Sequence, residues 1–232
     1  DSALIYYNRA LSLDLEIGDG ALIAKTLNNL GSLYHQMSKY DSTIHYFQRS
    51  LEIKKNIGDS SGMAVTLNNI GLVYNAWQKY DKAIEYFQEA LHIDSLLGYD
   101  RDFTTRFNNI GTSYHLKGDY DKAIEYFTKA LKIGLDSKNP GVVANLYNNL
   151  GMIYLKKKEY NRSREYLNKA LESYHRSGQK AEVAAVLANL AKIDLVLGNY
   201  NQSLGYLSQS TEIAENFDLL DLNKDNYLTF SE

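Results

Sequence analysis

The stretch Thr66-Leu-Asn-Asn-Ile-Gly71 decides the fold, because near-copies of it recur at a fixed step of 40 residues. The copies are Thr26-Leu-Asn-Asn-Leu-Gly31, Arg106-Phe-Asn-Asn-Ile-Gly111, Leu146-Tyr-Asn-Asn-Leu-Gly151 and the weaker Val186-Leu-Ala-Asn-Leu-Ala191. A second motif keeps the same step at Tyr40-Asp41, Tyr80-Asp81, Tyr120-Asp121, Tyr160-Asn161 and Tyr200-Asn201. A constant period of this length indicates a tandem array of helical repeats.

Each repeat carries two amphipathic patterns, which we name the first and second helix. Apolar and small residues follow the 3.6-residue period of one helix face in both patterns. They are Leu67, Ile70, Gly71 and Tyr74 in the first, and Ala83, Ile84, Phe87, Ala90 and Leu91 in the second. Small residues recur where the two helices must approach closely, at Gly31, Gly71, Gly111 and Gly151 and at Ala90, Ala130 and Ala170. The pattern therefore predicts paired, closely packed helices.

Short polar residues and glycines predict where the helices begin and end. First helices are expected to be capped by Asp19, Asp59 and Asn139, with Pro140 in a first turn and a cap shifted by one residue at Asp100. Second helices are expected to be capped by Asp41, Asp81, Asp121, Asn161 and Asn201. They are expected to end in left-handed turns at Gly18, Gly58, Gly98 and Gly178.

These motifs resemble the tetratricopeptide repeat (TPR) family along the whole chain. The first helix carries its Asn-Leu/Ile-Gly-x-x-Tyr core, and Ala83-x-x-x-Phe87-x-x-Ala90 its second-helix core. The period of 40, the missing terminal proline and endings such as Ile57-Gly58-Asp59 resemble the variant of Pins-type adaptors and bacterial TPR signalling regulators. The resemblance implies an all-α, right-handed α-solenoid of helix-turn-helix repeats that acts as a protein-binding scaffold.

The phase of the repeats at both ends predicts that the chain is a piece of a longer protein. Asp1 shares its phase with Asp41, whereas Tyr227, Phe230 and Ser231 share theirs with Leu27, Leu30 and Gly31. We expect residues 1–20 to be a second helix, and residues 221–232 to start a further first helix. Full repeats are expected at 21–60, 61–100, 101–140, 141–180 and 181–220.

Composition excludes several function classes. The net charge of −3 offers no basic stripe for nucleic acid. No apolar run approaches the roughly 18 residues of a membrane span, so no membrane insertion is expected. Cysteine is absent, which excludes disulfides and thiolate metal sites and leaves a cytoplasmic or a periplasmic location open.

The asparagine pairs are the leading candidate site. The resemblance implies that first helices line a concave surface, where carboxamides would form a ladder with a spacing of about 10 Å. A carboxamide both donates and accepts hydrogen bonds, so such a ladder can hold the backbone of an extended peptide. We expect the second asparagine of each pair to contact ligand, with the alternative that one of each pair only ties repeats together. The ladder comprises Asn28, Asn29, Asn68, Asn69, Asn108, Asn109, Asn148, Asn149 and Asn189.

Residues beside the ladder are expected to set specificity. The predicted binding positions are Ser32, His35, Asn75, Thr112 and His115, with Lys25, Leu72, Met152, Leu155 and Lys156 on the same surface. These side chains do not reproduce the Lys/Arg clamp that chaperone-binding family members use, so a C-terminal carboxylate is not the expected ligand.

The remaining motifs favour packing over chemistry. The recurring tyrosines Tyr34, Tyr74, Tyr114 and Tyr154, and Tyr40, Tyr80, Tyr120, Tyr160 and Tyr200, are expected in the core, and Trp77 as a packing variant. No zinc, phosphate-loop or nucleophile motif occurs, so we expect no enzyme activity, cofactor or metal. Residues 221–232 imitate a calcium loop with oxygens at positions 1, 3, 5, 9 and 12, but their repeat phase predicts a helix.

Two alternatives to a free-standing peptide-binding scaffold remain open. The chain could serve as the sensory arm of a larger signalling protein, such as a histidine kinase, cyclase or transcription regulator. It could also self-associate through uncapped ends, because repeat arrays normally end in polar capping repeats.

Overall fold

The described part of the chain is a succession of helices joined by tight turns. The computed structural model describes residues 2–136 and 139–230, with the side chains of all of these except Asp100 and Arg101. Within these ranges no strand occurs, which confirms the all-α repeat fold. The helices are α1 Ser2–Ile17, α2 Gly20–Gln36, α3 Tyr40–Asn56, α4 Ser60–Ala76, α5 Tyr80–Leu97, α6 Asp100–Lys117, α7 Tyr120–Asp136, α8 Pro140–Lys156, α9 Tyr160–Ser177, α10 Lys180–Val196, α11 Tyr200–Asn216 and α12 Leu220–Phe230.

The helices form two compact units. The first unit is Asp1–Ala123 and the second is Ile124–Glu232. In the first unit, α2, α4 and α6 are first helices and α1, α3 and α5 are second helices. In the second unit, α8, α10 and α12 are first helices and α9 and α11 are second helices. None of the helices in the described ranges is long and apolar enough to cross a membrane.

Glycines bring the two helices of a repeat together, as predicted. In the first unit, a methyl group added to Gly31 or Gly71 would lie 2.5 Å from the ring of Phe47 or Phe87. In the second unit, one added to Gly151 would lie 2.7 Å from Leu167. These distances are far below van der Waals contact, so each glycine is required by the large residue that faces it.

Left-handed residues end both kinds of helix. Second helices end at Gly18, Gly58, Gly98 and Gly178, with φ between 69° and 77°, as predicted. The sequence reasoning missed that first helices end in the same way, at Ser38, Gln78, Gly118, Lys158 and Gly198. It missed them because three of these five are not glycine, and non-glycine residues enter this conformation at a cost.

The predicted caps are correct for the first helices α2, α4 and α8 and wrong for the second helices. Asp19, Asp59 and Asn139 each accept hydrogen bonds from backbone N–H groups of the first turn. Second helices begin two residues earlier than predicted, so the tyrosine of each motif is already helical and the next residue lies in the first turn. The N-cap positions are Lys39, Lys79, Glu159 and Asn199 rather than Asp41, Asp81, Asn161 and Asn201, and these four cap residues make no side-chain cap bond.

The same correction applies at two more helix starts. Helix α7 begins at Tyr120, so Asp121 lies in its first turn, and Asp119 accepts a hydrogen bond from the Lys122 N–H at 3.3 Å. Helix α6 begins at Asp100 with Tyr99 at the N-cap, so the cap does not shift as expected. The first-turn carboxylate of Asp121 still favours α7, because it lies near the partial positive charge of the helix N-terminus.

This difference predicts separable effects of Asp59→Ala and Asp41→Ala. Asp59→Ala is expected to cost about 1 kcal/mol of unfolding free energy, because the Gly62 N–H loses its 2.8 Å acceptor. Asp41→Ala removes only a charge–dipole interaction and is expected to cost about 0.3–1 kcal/mol. Urea unfolding should show the Asp41 effect shrinking in about 1 M NaCl, where charges are screened within about 3 Å, and the Asp59 effect persisting. Equal salt sensitivity would contradict these cap assignments.

Tyrosines near the ends of first helices pack against tyrosines of the second helices. Tyr34 stacks on Tyr46 at 5.2 Å between ring centroids, and Tyr154 stacks on Tyr166 at 5.4 Å. Tyr200 contradicts the expected core role, because 64% of it is exposed. Tyr40, by contrast, stacks on Trp77 at 5.8 Å between ring centroids.

Trp77 is a packing residue, as expected. Its ring stacks on Tyr74 and Tyr40 at centroid distances of 6.0 Å and 5.8 Å. The Lys79 ammonium lies 3.1 Å above its centroid. The tryptophan is therefore held by its own neighbours.

In the first unit, residues 12 apart join each second helix to the next first helix. Thr26 donates to Asp14 at 2.6 Å, and Lys54 donates to Thr66 at 2.8 Å. At the third junction Arg106 Nε lies 2.8 Å from Asp94 Oδ2, and both side chains are buried. The chemistry of this contact thus changes from junction to junction while its position stays constant.

The segment 221–232, whose sequence resembles a calcium-binding loop, is helical in its described part. Helix α12 covers Leu220–Phe230, and a wrapped ion-binding loop cannot have that backbone. Ser231 and Glu232, the last residues of the imitation, and Asp1 lie outside the described residues. The described residues contain no group of three or more acidic or histidine side chains suited to a metal ion.

Candidate functional site

The candidate site is the exposed side of the first helices, which we call the first-helix surface. Neighbouring first helices contact each other along it within each unit. In the first unit Asn109 Nδ2 donates to Asn68 Oδ1 at 2.8 Å, which joins α6 to α4. In the second unit Lys192 Nζ lies 3.8 Å from Asp225 Oδ2, which joins α10 to α12. In the first unit, the predicted ladder residues Asn68 and Asn109 therefore lie where adjacent first helices meet.

The first asparagine of a pair ties repeats together in the first unit. Asn68 is only 9% exposed, and its oxygen is used by Asn109. Asn28 Oδ1 accepts a weak hydrogen bond from Thr66 at 3.5 Å. Asn109 is a second asparagine, so the division of roles within a pair is not uniform. Asn108 and Asn149 also have partners within the protein.

Four ladder asparagines keep their carboxamides available. Their side chains are half-buried, and among the described residues they make no hydrogen bond. They are Asn29 and Asn69 in the first unit, and Asn148 and Asn189 in the second. A half-buried carboxamide that lacks a protein partner can offer both a donor and an acceptor to a ligand.

The predicted flanking residues divide between surface and turn. The hydroxyls of Ser32 and Thr112 donate to backbone carbonyls one turn earlier, at 3.1 Å and 2.9 Å. The rings of His35 and His115 contact tyrosine rings at the start of the following second helix, Tyr40 at 6.2 Å and Tyr120 at 6.0 Å. The histidines therefore lie near the turn within the repeat, at one edge of the first-helix surface.

Asn75 has a different environment from the other flanking residues. Its Oδ1 atom is buried and accepts no hydrogen bond from the described residues. A buried acceptor without a donor is costly, and because protein atoms cover this oxygen it is not an acceptor offered to a ligand at the surface.

Over its described side chains, the first-helix surface of the first unit is largely apolar. Aliphatic side chains flank the available asparagines there and are about half-exposed. They are Leu22, Val65, Leu72 and Leu116. Lys25 is the exposed cation one turn before Asn29. Amides among aliphatic groups suit a peptide backbone with apolar side chains better than a highly charged ligand.

The second unit carries buried ionisable groups that the sequence reasoning missed. Asp194 is fully buried and paired with Arg164, and Asn199 Nδ2 donates to its Oδ1 at 3.1 Å. Asp194 stands at the repeat position of Tyr34 and Tyr154. The replacement of tyrosine by aspartate at this position was the sequence signal that could have indicated a buried carboxylate.

Tyr174 is a second buried ionisable group in that unit. It donates its hydroxyl to Asn145 Oδ1 at 2.6 Å, and burial raises its pKa to about 12. The hydroxyl is therefore a neutral donor that holds the exposed Asn145 side chain at the first-helix surface.

Comparison with protein families gives one consistent result. The family model described as Tetratricopeptide repeat matches residues 1–56, 22–95, 62–136 and 142–216. These overlapping matches cover most of the chain. A comparison with curated protein sequences gave no match.

Several solved structures are similar in fold. BtubC from P. vanneervenii has a TM-score of 0.81 at 20% identity, over 93% of this chain and 91% of that one. The Rap conjugation gene regulator of plasmid pLS20, solved with the Phr* peptide, has 0.70 at 17% identity, over 90% and 58%. A STAND signal-transduction ATPase with a tetratricopeptide repeat sensor from Pyrococcus horikoshii has 0.78 at 20%, over 95% and 35%. At these identities the likeness shows the fold alone.

Proposed function

Because the chain belongs to the tetratricopeptide repeat family, we propose that its first-helix surface binds an extended peptide segment of a partner protein. The observation that carries the proposal is the set of available carboxamides at Asn29, Asn69, Asn148 and Asn189. Asn29, Asn69 and Asn189 share one position of the repeat and Asn148 stands one residue earlier, so each unit offers donors and acceptors on two successive first helices. An extended backbone presents complementary acceptors and donors along its length.

Burial and charge support a peptide over other ligands. The net charge of −3 is unsuited to nucleic acid, and the surface of the first unit pairs amides with half-exposed aliphatic groups. Backbone hydrogen bonds would supply affinity, and the variable side chains beside the asparagines would supply specificity. The similar Rap regulator was solved with a peptide, which is consistent with this ligand class for the fold.

The test begins with a displayed library of random linear peptides, selected on the wild-type chain. Binding of a selected synthetic peptide is then measured by fluorescence anisotropy. The double variant Asn29→Ala, Asn69→Ala is expected to weaken binding by about fivefold to 100-fold, because two hydrogen bonds of about 0.5–1.5 kcal/mol each are lost. Its thermal unfolding should match the wild type, since neither amide bonds to the described protein.

The matched control is Asn56→Ala with Asn168→Ala, two exposed asparagines on second helices. This control should leave peptide binding unchanged. Asn68→Ala makes a second comparison, because it removes the acceptor of Asn109 and should lower stability. The proposal fails if no peptide is selected, or if both asparagine pairs affect binding equally.

A sensory arm within a larger signalling protein is the second candidate. The solved STAND ATPase has a tetratricopeptide repeat sensor, and this chain spans 35% of that protein's length. Peptide binding would then be the input of the sensor, so this candidate extends the first. The coding sequence on either side of this region tests it, since a kinase, cyclase or DNA-binding domain there would support it and its absence would count against it.

A further inference from the structure

An open cleft lies between the N-terminal turns of α10 and α12 in the second unit. Its volume is about 570 Å³, within the range of about 300–1,000 Å³ that small ligands occupy. The apolar part of its lining is made by Ala181, Ala185, Leu219, Leu220 and Leu222. Leu220 is 78% exposed, so the cleft presents an aliphatic wall to solvent.

The cleft is continuous with the first-helix surface. Ala185 lies one helical turn before Asn189, an available carboxamide, and Lys192 follows one turn later on the same side of α10. The ion pair of Lys192 with Asp225 spans from α10 to α12 beside this row. A peptide whose backbone was held at Asn189 would therefore have the cleft within reach of a neighbouring side chain.

The rim of the cleft is acidic. Glu182, Asp218 and Asp221 line it, and none of the three forms an ion pair among the described residues. Glu182 and Asp221 lie in first helical turns, where each offsets a partial positive charge of about one half. The nearest cations in sequence are Lys180 and Lys224, and neither forms an ion pair with a rim carboxylate among the described residues. The Lys180 ammonium lies 6.0 Å from the ring of Phe217. The rim carboxylates therefore remain available to a cation of the ligand.

We propose that the cleft between α10 and α12 receives an aliphatic or aromatic side chain of the bound peptide, with a lysine or arginine next to it in the peptide meeting the acidic rim. This inference rests on the proposed peptide-binding function and adds to it the kind of residue that is recognised. The apolar wall favours burial of a hydrocarbon side chain. The acidic rim favours a lysine or arginine next to that side chain in the peptide, by charge complementarity.

The alanines make the cleft possible. At the repeat position of Ala185 the first unit has Lys25, Val65 and Thr105, and the second unit also has Asn145, all larger side chains. Ala185→Lys therefore installs a residue that the same repeat position accepts at Lys25. Ala185 is exposed, so this variant should fold normally while its side chain and charge fill the cleft.

The experiment uses peptides from a random linear library selected on the wild-type chain, with anisotropy as the readout. We expect the selected sequences to share an apolar residue beside lysine or arginine. Ala185→Lys should weaken their binding by about tenfold or more, since burial of a leucine-sized side chain accounts for a decade or more of affinity. Glu182→Gln with Asp221→Asn should weaken it by about two- to fivefold per carboxylate, more at low salt.

The outcomes separate this inference from the function on which it rests. If Asn148→Ala with Asn189→Ala, in the same unit as the cleft, weakens binding but Ala185→Lys and the neutralised rim do not, the cleft proposal is overturned and peptide binding stands. If selected peptides lack the apolar–basic pair, the cleft proposal is also overturned. If the wild type selects no peptide, the proposed function fails and the cleft proposal with it. Unchanged circular dichroism and melting of Ala185→Lys exclude loss of folding as the cause of weaker binding.

Discussion

Asp94→Ala is expected to lower the unfolding free energy by about 3–5 kcal/mol, the largest effect of any exchange considered for this chain. Asp94 and Arg106 form a buried ion pair at 2.8 Å that joins α5 to α6. Removing the carboxylate leaves the guanidinium in the interior with no opposite charge, and desolvation of an uncompensated charge is costly. Urea unfolding followed by circular dichroism measures the loss.

Two companion variants show whether the buried charge is the cause. Adding Arg106→Leu to Asp94→Ala removes the stranded guanidinium and should recover most of the stability, since Leu146 occupies the same repeat position. Asp81→Ala breaks the exposed pair with Lys117 and should change the unfolding free energy far less than Asp94→Ala does. A loss in the double variant as large as in Asp94→Ala would show that the junction depends on something other than charge pairing.

Gly71→Ala is expected to destabilise the protein by about 1–3 kcal/mol, although alanine is the better helix former. The new methyl group would lie 2.5 Å from the ring of Phe87, which is fully buried and has no space to retreat. The higher helix propensity of alanine offsets about 1 kcal/mol of this cost. The expected net loss therefore comes from the steric clash between the two helices. The unfolding midpoint in urea should fall without a change in helical content.

The last full repeat already combines alanine and leucine at these two positions, and this combination supplies the control for Gly71→Ala. The last full repeat has Ala191 where the others have glycine, and Leu207 where others have phenylalanine, and both are buried. Gly71→Ala should therefore cost less in a Phe87→Leu background than in the wild type. A double-mutant cycle measures this coupling. Equal costs in the two backgrounds would contradict the steric explanation.

The fold was predictable because the same first-helix motif occurs five times in the sequence. A constant step of 40 residues averages out local ambiguity, and Gly71 facing Phe87 is the same contact as Gly31 facing Phe47. The second-helix caps were predicted wrongly for a specific reason. The aspartate of Tyr40-Asp41 has the side chain of a cap, but Tyr40 is already helical and the tertiary contact of its ring overrides local propensity.

The candidate site was predictable in position and not in detail. The period places every asparagine pair on the first helices, but it cannot show which carboxamides are already used. Asn69 and Asn109 occupy the same repeat position, yet Asn109 bonds to Asn68 and Asn69 does not bond to the described protein. The difference comes from neighbouring helices rather than from the local motif. The cleft beside Ala185 was missed for the same reason, since alanine at a variable position carries no chemical signal by itself.

The most direct test of peptide binding at the first-helix surface is a crystal structure of the chain with a peptide selected on it. We expect backbone N–H and C=O groups of the peptide within about 3.5 Å of available carboxamides, at Asn29 and Asn69 or at Asn148 and Asn189. A peptide that lay only against second helices, or at the ends of the chain, without contact to any of these carboxamides would contradict the account.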